Sequence, residues 1–185
     1  MKPEVRKSRV GFAVIKLMAS GIPYYLMRVN PKWKDINFIG GHEKLRDGAD
    51  LRKTARRELW EEVPSIRNYA NLDLEPLTTE LRYGPIYSRS KGDQVEYDVK
   101  FFLLRMEGSP ASLIELLSLR TKNIWVSQQE LLRPNKYRLS GLVAFLNGAV
   151  HGGLDEIPYS SPVDMRSFQH CFDYANGRQL EFALK

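Results

Sequence analysis

Residues 57–62, Arg-Glu-Leu-Trp-Glu-Glu, place three carboxylates, Glu58, Glu61 and Glu62, at positions i, i+3 and i+4. On a helix those positions share one face. Like charges at that spacing repel by roughly 0.2 to 0.5 kcal/mol per pair on an exposed helix, so the cluster calls for a compensating interaction. A divalent cation supplies one. Hard ions such as Mg2+ and Mn2+ select oxygen ligands, and Mg2+ commonly takes a few carboxylates together with the phosphates of a substrate. The plainer alternative is a solvated acidic helix face that holds nothing.

The neighbouring sequence gives that turn a place to sit. Phe38-Ile39-Gly40-Gly41 is an apolar run ending in a glycine pair. Ala49 to Val63 reads as a helix, because Leu51, Ala55, Leu59 and Val63 recur every fourth residue as an apolar stripe. The glutamates lie beside the edge of the stripe, which seats the helix on a sheet and directs the acids along the seam. Pro64 ends the helix.

Together these segments resemble the box of the Nudix hydrolase family, G-x5-E-x7-R-E-U-x-E-E-x-G-U, where U is a bulky aliphatic residue. Arg57 to Glu62 meets the REUxEE core in full. Counting back from Arg57, the box glutamate falls on Ala49, and the box glycine is recovered at Gly41 only with two extra residues in the loop His42 to Asp47. Pro64 and Ser65 replace the final glycine and aliphatic residue. The resemblance implies Glu58, Glu61 and Glu62 as ligands of Mg2+ or Mn2+. It also implies Glu58, Glu61 and Arg57 as the catalytic group, with Gly40 and Gly41 at the substrate. In the family this arginine commonly holds the upstream glutamate; without that residue, Arg57 is left to pair with Asp47, Asp50 or Glu61. Downstream, Asn123-Ile-Trp-Val-Ser-Gln-Gln-Glu-Leu-Leu132 resembles the strand and turn that commonly close a Nudix core, and the likeness covers roughly residues 8 to 150.

The implied activity is metal-dependent hydrolysis of a nucleoside diphosphate linked to another moiety, with the cation holding the diphosphate for in-line attack by water. The alternative is a nucleotide-sensing Nudix-fold module with weak or no turnover, motivated by Ala49, Pro64 and the enlarged loop. Glu58 is one candidate general base. Glu43 and Asp47 in the loop, and Glu96 and Asp98 farther on, are further candidate carboxylates, each also readable as an ordinary surface acid. Tyr83, Tyr87, Arg82 and Arg89 are candidate substrate contacts, or simply packed aromatics and solvated arginines. Trp125 reads as core and Trp60 as a cover on the outer helix face.

Composition bounds the rest. The 185 residues are 43% hydrophobic and 27% charged, which suits one domain with a single core. No apolar run is long enough to cross a bilayer and MKPEVRKSRVGF lacks the apolar stretch of a signal peptide, so a cytoplasmic location is expected. Cys171 is the only cysteine, and His42, His151 and His170 are scattered, which leaves no internal disulfide and no Cys/His zinc cluster. A net charge of +6 favours polyanions, nucleotides included. The basic residues concentrate only briefly, at Lys2 to Arg9, Arg52 to Arg57 and Arg133 to Arg138, and no nucleic-acid motif accompanies them, so a nucleotide-type small molecule is the expected partner.

The elements expected are strands over Arg9 to Met18 and Pro23 to Val29 joined at Ala19-Ser20-Gly21-Ile22, and strand-like stretches from Leu72 to Tyr87 broken at Gly84-Pro85. A turn at Ser90-Lys91-Gly92-Asp93 leads to a strand over Val95 to Met106. Ser112 to Leu119 reads as a short helix, Ile124 to Val126 as a strand, and Leu139 to Val150 as an apolar helix ended by Gly152-Gly153. This pattern predicts an α+β fold, the Nudix-type α/β/α sandwich with a mixed β-sheet, over residues 1–153. Residues 154–185 form a C-terminal extension whose aromatic residues, Phe168, Phe172, Tyr174 and Phe182, predict packing on the core, on a second copy of the chain as a homodimer, or over the substrate.

Overall fold

A computed structural model describes residues 5–30, 32–68, 72–107, 122–133 and 138–166. The expected helix over Ser112 to Leu119 and the aromatic segment from Phe168 to Phe182 lie outside those residues, as do His170 and Cys171.

Alternation of side chains builds the sheet. Strand β1 (Arg6–Val14) pairs antiparallel with β4 (Asp35–His42) on one side and parallel with the long β7 (Asp93–Met106) on the other. Strands β5 (Leu72–Pro76) and β6 (Leu81–Ser88) both pair antiparallel with β7. On the far side of β4 stand β3 (Ile22–Asn30), its hairpin partner β2 (Lys16–Ala19) and β8 (Asn123–Ser127); β9 (Arg138–Leu139) joins β4 in parallel. The sheet is therefore mixed, with the central order β2-β3-β4-β1-β7-β5.

Two expectations are corrected here. The run from Arg9 to Met18 is not one strand. Both edges of β1 are taken by β4 and β7, so at Ile15, whose carbonyl accepts Leu26 N at 3.0 Å, the chain leaves that pairing and enters the hairpin with β3. The hairpin turns at Ser20 and Gly21, with φ of 51° and 76°, the left-handed pair that suits a two-residue connection. Nor does Gly84-Pro85 break its strand: a bulge between Tyr83 and Ile86 absorbs it within β6.

Helix α1 (Leu51–Glu62) starts at Asp50, whose carboxylate accepts Arg52 N at 2.9 Å, and ends at Val63 ahead of Pro64. Its stripe of Leu51, Ala55, Leu59 and Val63 is buried against the sheet. The approach is close because β1 carries Gly11 beneath it. A Cβ at that position would lie 2.4 Å from the Leu51 carbonyl oxygen. Two further helices follow, α2 (Gln128–Leu132) and α3 (Gly141–Ala149), each opened by a serine side chain, Ser127 and Ser140. α3 covers the face opposite α1, where Phe145 packs on Tyr83 with ring centroids 4.8 Å apart. Among the described residues no helix is long and apolar enough to cross a membrane.

Beyond α3 the chain folds back along β2. Ser160 N donates to Lys16 O at 2.7 Å and Met165 N to Met18 O at 2.8 Å. Lys16 itself points inward and is 2% exposed. Its Nζ donates to the carbonyls of Leu154 (2.9 Å), Asp155 (3.2 Å) and Ile157 (2.8 Å), and Tyr25 OH shares the first of these acceptors at 2.8 Å. Residues 154–166 thus lie against the same core as the strands before them. Burial pushes the Lys16 ammonium down to about 8, with Asp155 and Glu156 pulling the other way. From that value to the unfolded value near 10.5 the unfolded chain keeps a proton that the folded chain has released. Stability of the native protein relative to Lys16→Met should therefore rise across this window, by roughly 3 kcal/mol. Urea unfolding of both proteins between about pH 7.5 and about 10.5 checks this, and a difference that does not change with pH would contradict it.

Candidate functional site

Arg57 organises the acidic turn. Its Nε donates to Asp47 Oδ1 at 3.0 Å and its Nη2 to Asp47 Oδ2 at 2.9 Å, a two-point pairing, while Nη2 also donates to His42 O at 2.8 Å. Nη1 turns the other way, to Glu58 and, at 3.5 Å, to Glu61. Of the three partners open to Arg57 on sequence grounds, Asp47 and Glu61 are engaged; Asp50 serves as the N-cap of α1. Asp47 is 3% exposed and also accepts Lys44 N at 2.9 Å and Thr54 Oγ1 at 3.0 Å. The Arg57 guanidinium holds its carboxyl well below the usual carboxylate range, and Asp47 in turn pushes the guanidinium up.

The three glutamates occupy different surroundings. Glu58 lies against Gly41, where a Cβ would come within 2.8 Å of the carboxylate, so a larger residue there would push the Glu58 side chain aside. Glu61 is the most exposed and meets Arg46 Nη2 at 2.8 Å and Lys44 Nζ at 3.7 Å. Glu62 is nearly buried; Arg28 Nε holds one oxygen at 2.7 Å, and the other, Oε2, is buried with no hydrogen-bond donor among the described residues. Burial pushes the Glu62 carboxyl up to about 7, helped by Glu58 and Glu61 and opposed by Arg28 and the Gly40 amide. Asn123 Nδ2 donates to the Glu62 carbonyl at 2.6 Å, tying the end of α1 to β8. Among the described residues no three His, Cys, Asp or Glu side chains stand ready-made around a metal position, because each glutamate is turned onto a basic side chain.

Glu62, at the end of α1, opens onto a cleft of about 640 Å³. Gly40 and Gly41 form part of its floor with Phe12 and Phe38. The hairpin tips β3–β4 and β6–β7 supply its far wall, where the Arg89 guanidinium lies 4.9 Å from the Trp33 ring and pairs with Asp35 at 2.6 Å. Tyr83 and Tyr87 line the cleft, and Tyr87 is 62% exposed. Of the four contacts expected from the sequence, Arg82 alone is absent from the lining; it pairs with Glu96 at 3.2 Å and lies 3.9 Å from Asp98. Glu43 is likewise held by Arg9, at 2.7 Å. The cleft brings in Arg28, Trp33, Asp35 and Arg138, which sequence reasoning does not place there. Arg28 has a signal, a single charge inside the apolar strand Tyr-Tyr-Leu-Met-Arg-Val; the others have none.

Residues 7–144 match the family model described as the NUDIX domain. The chain belongs to the Nudix family. Solved structures similar to it include the Ap4A hydrolase of C. elegans, at 20% identity over 72% of this chain and 89% of that one, with a TM-score of 0.47. NrtR of Shewanella oneidensis is 13% identical over 96% of this chain and 69% of that one, with the same TM-score of 0.47. A NUDIX hydrolase from Nitrosomonas europaea is 19% identical over 83% and 97%, also at 0.47. No curated protein matches the chain.

Ala49 adopts φ of 60°, the left-handed region, and its carbonyl accepts Arg9 Nη1 at 3.1 Å. The carboxylate that braces Arg57 is Asp47, two residues before Ala49. Asp47→Asn should therefore lower stability by about 3 kcal/mol at neutral pH, since it removes the charged two-point anchor of a nearly buried guanidinium. The sign follows from the depressed carboxyl: the contribution of Asp47 is complete above the unfolded value near pH 3.8 and fades as pH falls below it. Denaturant unfolding of both proteins at neutral and acid pH measures this; an equal gap at both would contradict it.

Proposed function

We propose that this Nudix domain is a divalent-metal-dependent pyrophosphohydrolase that cleaves a nucleoside diphosphate linked to another moiety, acting in the cytoplasm. The observation that carries the reading is the buried Oε2 of Glu62, which has no hydrogen-bond donor among the described residues, on the same helical turn as Glu58 and Glu61 and at the edge of the cleft. A buried carboxylate oxygen without a donor is costly, and a cation would satisfy it. The donor set fits Mg2+ or Mn2+, being all carboxylate oxygen, and Glu58, Glu61 and Glu62 would hold the ion. Bound there, it would polarise the diphosphate and offset charge developing in the transition state.

The chain's own groups do the remaining work. Arg57, fixed by Asp47, is a positioning residue that holds Glu58 and Glu61 on the cation side of the helix. Glu58 is assigned as acceptor of a proton from the attacking water. Arg28 fixes the inner oxygen of Glu62, and Gly40 and Gly41 leave the diphosphate access to the backbone. The far wall, with Trp33, Tyr87 and Arg89, suits an aromatic base and a ribose.

Hydrolysis assays with Mg2+ or Mn2+ over nucleoside triphosphates, nucleotide sugars, dinucleotides and ADP-ribose test the reading. Glu61→Gln and Glu62→Gln should each lower kcat/KM by at least about tenfold on the preferred substrate. Equal inactivity of all three proteins would remove the hydrolase reading. One observation favours a second reading, a nucleotide-sensing module: every box glutamate is already balanced by an arginine or lysine. Tight nucleotide binding without products would select it, and rapid turnover would dismiss it.

A further inference from the structure

Glu61 keeps more cationic company than either of its neighbours, and two of its partners come from the loop that is longer than the family pattern. Arg46 lies at 2.8 Å, Lys44 at 3.7 Å and Arg57 at 3.5 Å. The loop is shaped to deliver the first two. Asp47 accepts Lys44 N at 2.9 Å, and Gly48, at φ of 65°, donates to Leu45 O at 3.2 Å, which closes a single tight turn. Within that turn Leu45 faces outward and is fully exposed, while the residues on either side of it turn toward Glu61. The turn thus exposes its apolar side chain and directs the two basic ones to Glu61.

We propose that Lys44 and Arg46 are displaceable counter-ions. They neutralise Glu61 while no divalent cation is bound, and they contact the substrate diphosphate once a cation takes that carboxylate. The proposal rests on the metal-dependent reading above. Both side chains are at least half exposed, at 50% and 63%, so their pairs with Glu61 are of the weak, exchangeable kind. A doubly charged ion displaces them from the carboxylate. The ammonium and guanidinium so released remain beside the ion, where the diphosphate must also lie, and these are the two side chains best suited to phosphate oxygens. The loop would thus oppose binding of the cation alone and favour its binding together with substrate.

Mn2+ binding followed by electron paramagnetic resonance tests this on the full chain, comparing the native protein with Lys44→Gln, Arg46→Gln and the double variant. Without nucleotide, the variants should bind Mn2+ about two- to fivefold more tightly, the range an exposed ion pair is worth. At saturating Mn2+, the α,β-methylene analogue of ADP should bind the double variant at least about tenfold more weakly. Changes of opposite sign support the proposal, since damage to a merely structural loop would weaken both. Unchanged Mn2+ affinity, or unchanged affinity for the analogue, would overturn it while leaving the metal reading intact. Absence of Mn2+ binding to every protein would overturn both readings together.

Discussion

The pairing of Arg57 with Asp47 is the constraint on which the site depends. Three carboxylates on one helical turn repel one another, and Arg57 faces two of them while being gripped from behind by a buried acid. The grip has several points. Two oxygens of Asp47 and the His42 carbonyl take the same guanidinium, so its plane is fixed and its remaining nitrogen is aimed along the helix. Because Asp47 also accepts from Lys44 N and Thr54, the loop and the first turns of α1 are held by one carboxylate, and Arg57 carries the tie on to the end of β4 through the His42 carbonyl.

The sheet makes that arrangement possible by bringing backbone unusually near. Gly11 lets α1 settle onto β1, and Gly41 leaves the space that the Glu58 carboxylate fills. At the other end of the helix, Arg28 from β3 and Asn123 from β8 secure Glu62, one by its carboxylate and the other by its carbonyl. The result is a gradient across three neighbouring acids: Glu61 in solvent with flexible partners, Glu58 against backbone, and Glu62 largely desolvated at the cleft. Identical chemistry in the sequence becomes three different environments through packing alone.

Much of this is legible in the residue pattern itself. The spacing of Glu58, Glu61 and Glu62 fixes their common face whatever surrounds them, and the stripe from Leu51 to Val63 marks the buried side of the same helix. The hairpin at Ser20 and Gly21 is likewise local chemistry. What a linear pattern does not carry is whatever depends on distant chain. The choice of Asp47 over Asp50 turns on how the loop closes, which no local pattern states. The break at Ile15 reflects competition for strand edges. Arg28 and Asn123 stand 34 and 61 residues from Glu62, and only the register of β3 with β8 brings them together at the helix end. The far wall of the cleft is similar, for Trp33, Asp35 and Arg89 meet across two hairpin tips.

The Arg57 clamp has meaning for function only if the turn it braces receives a cation. Diffraction at the manganese edge from a crystal soaked in Mn2+ and a non-hydrolysable nucleotide decides this most directly. An anomalous peak within carboxylate-bonding distance of Glu58, Glu61 and Glu62, with Arg57 still on Asp47, is the expected result. A nucleotide seated in the cleft with no manganese beside that turn would contradict it.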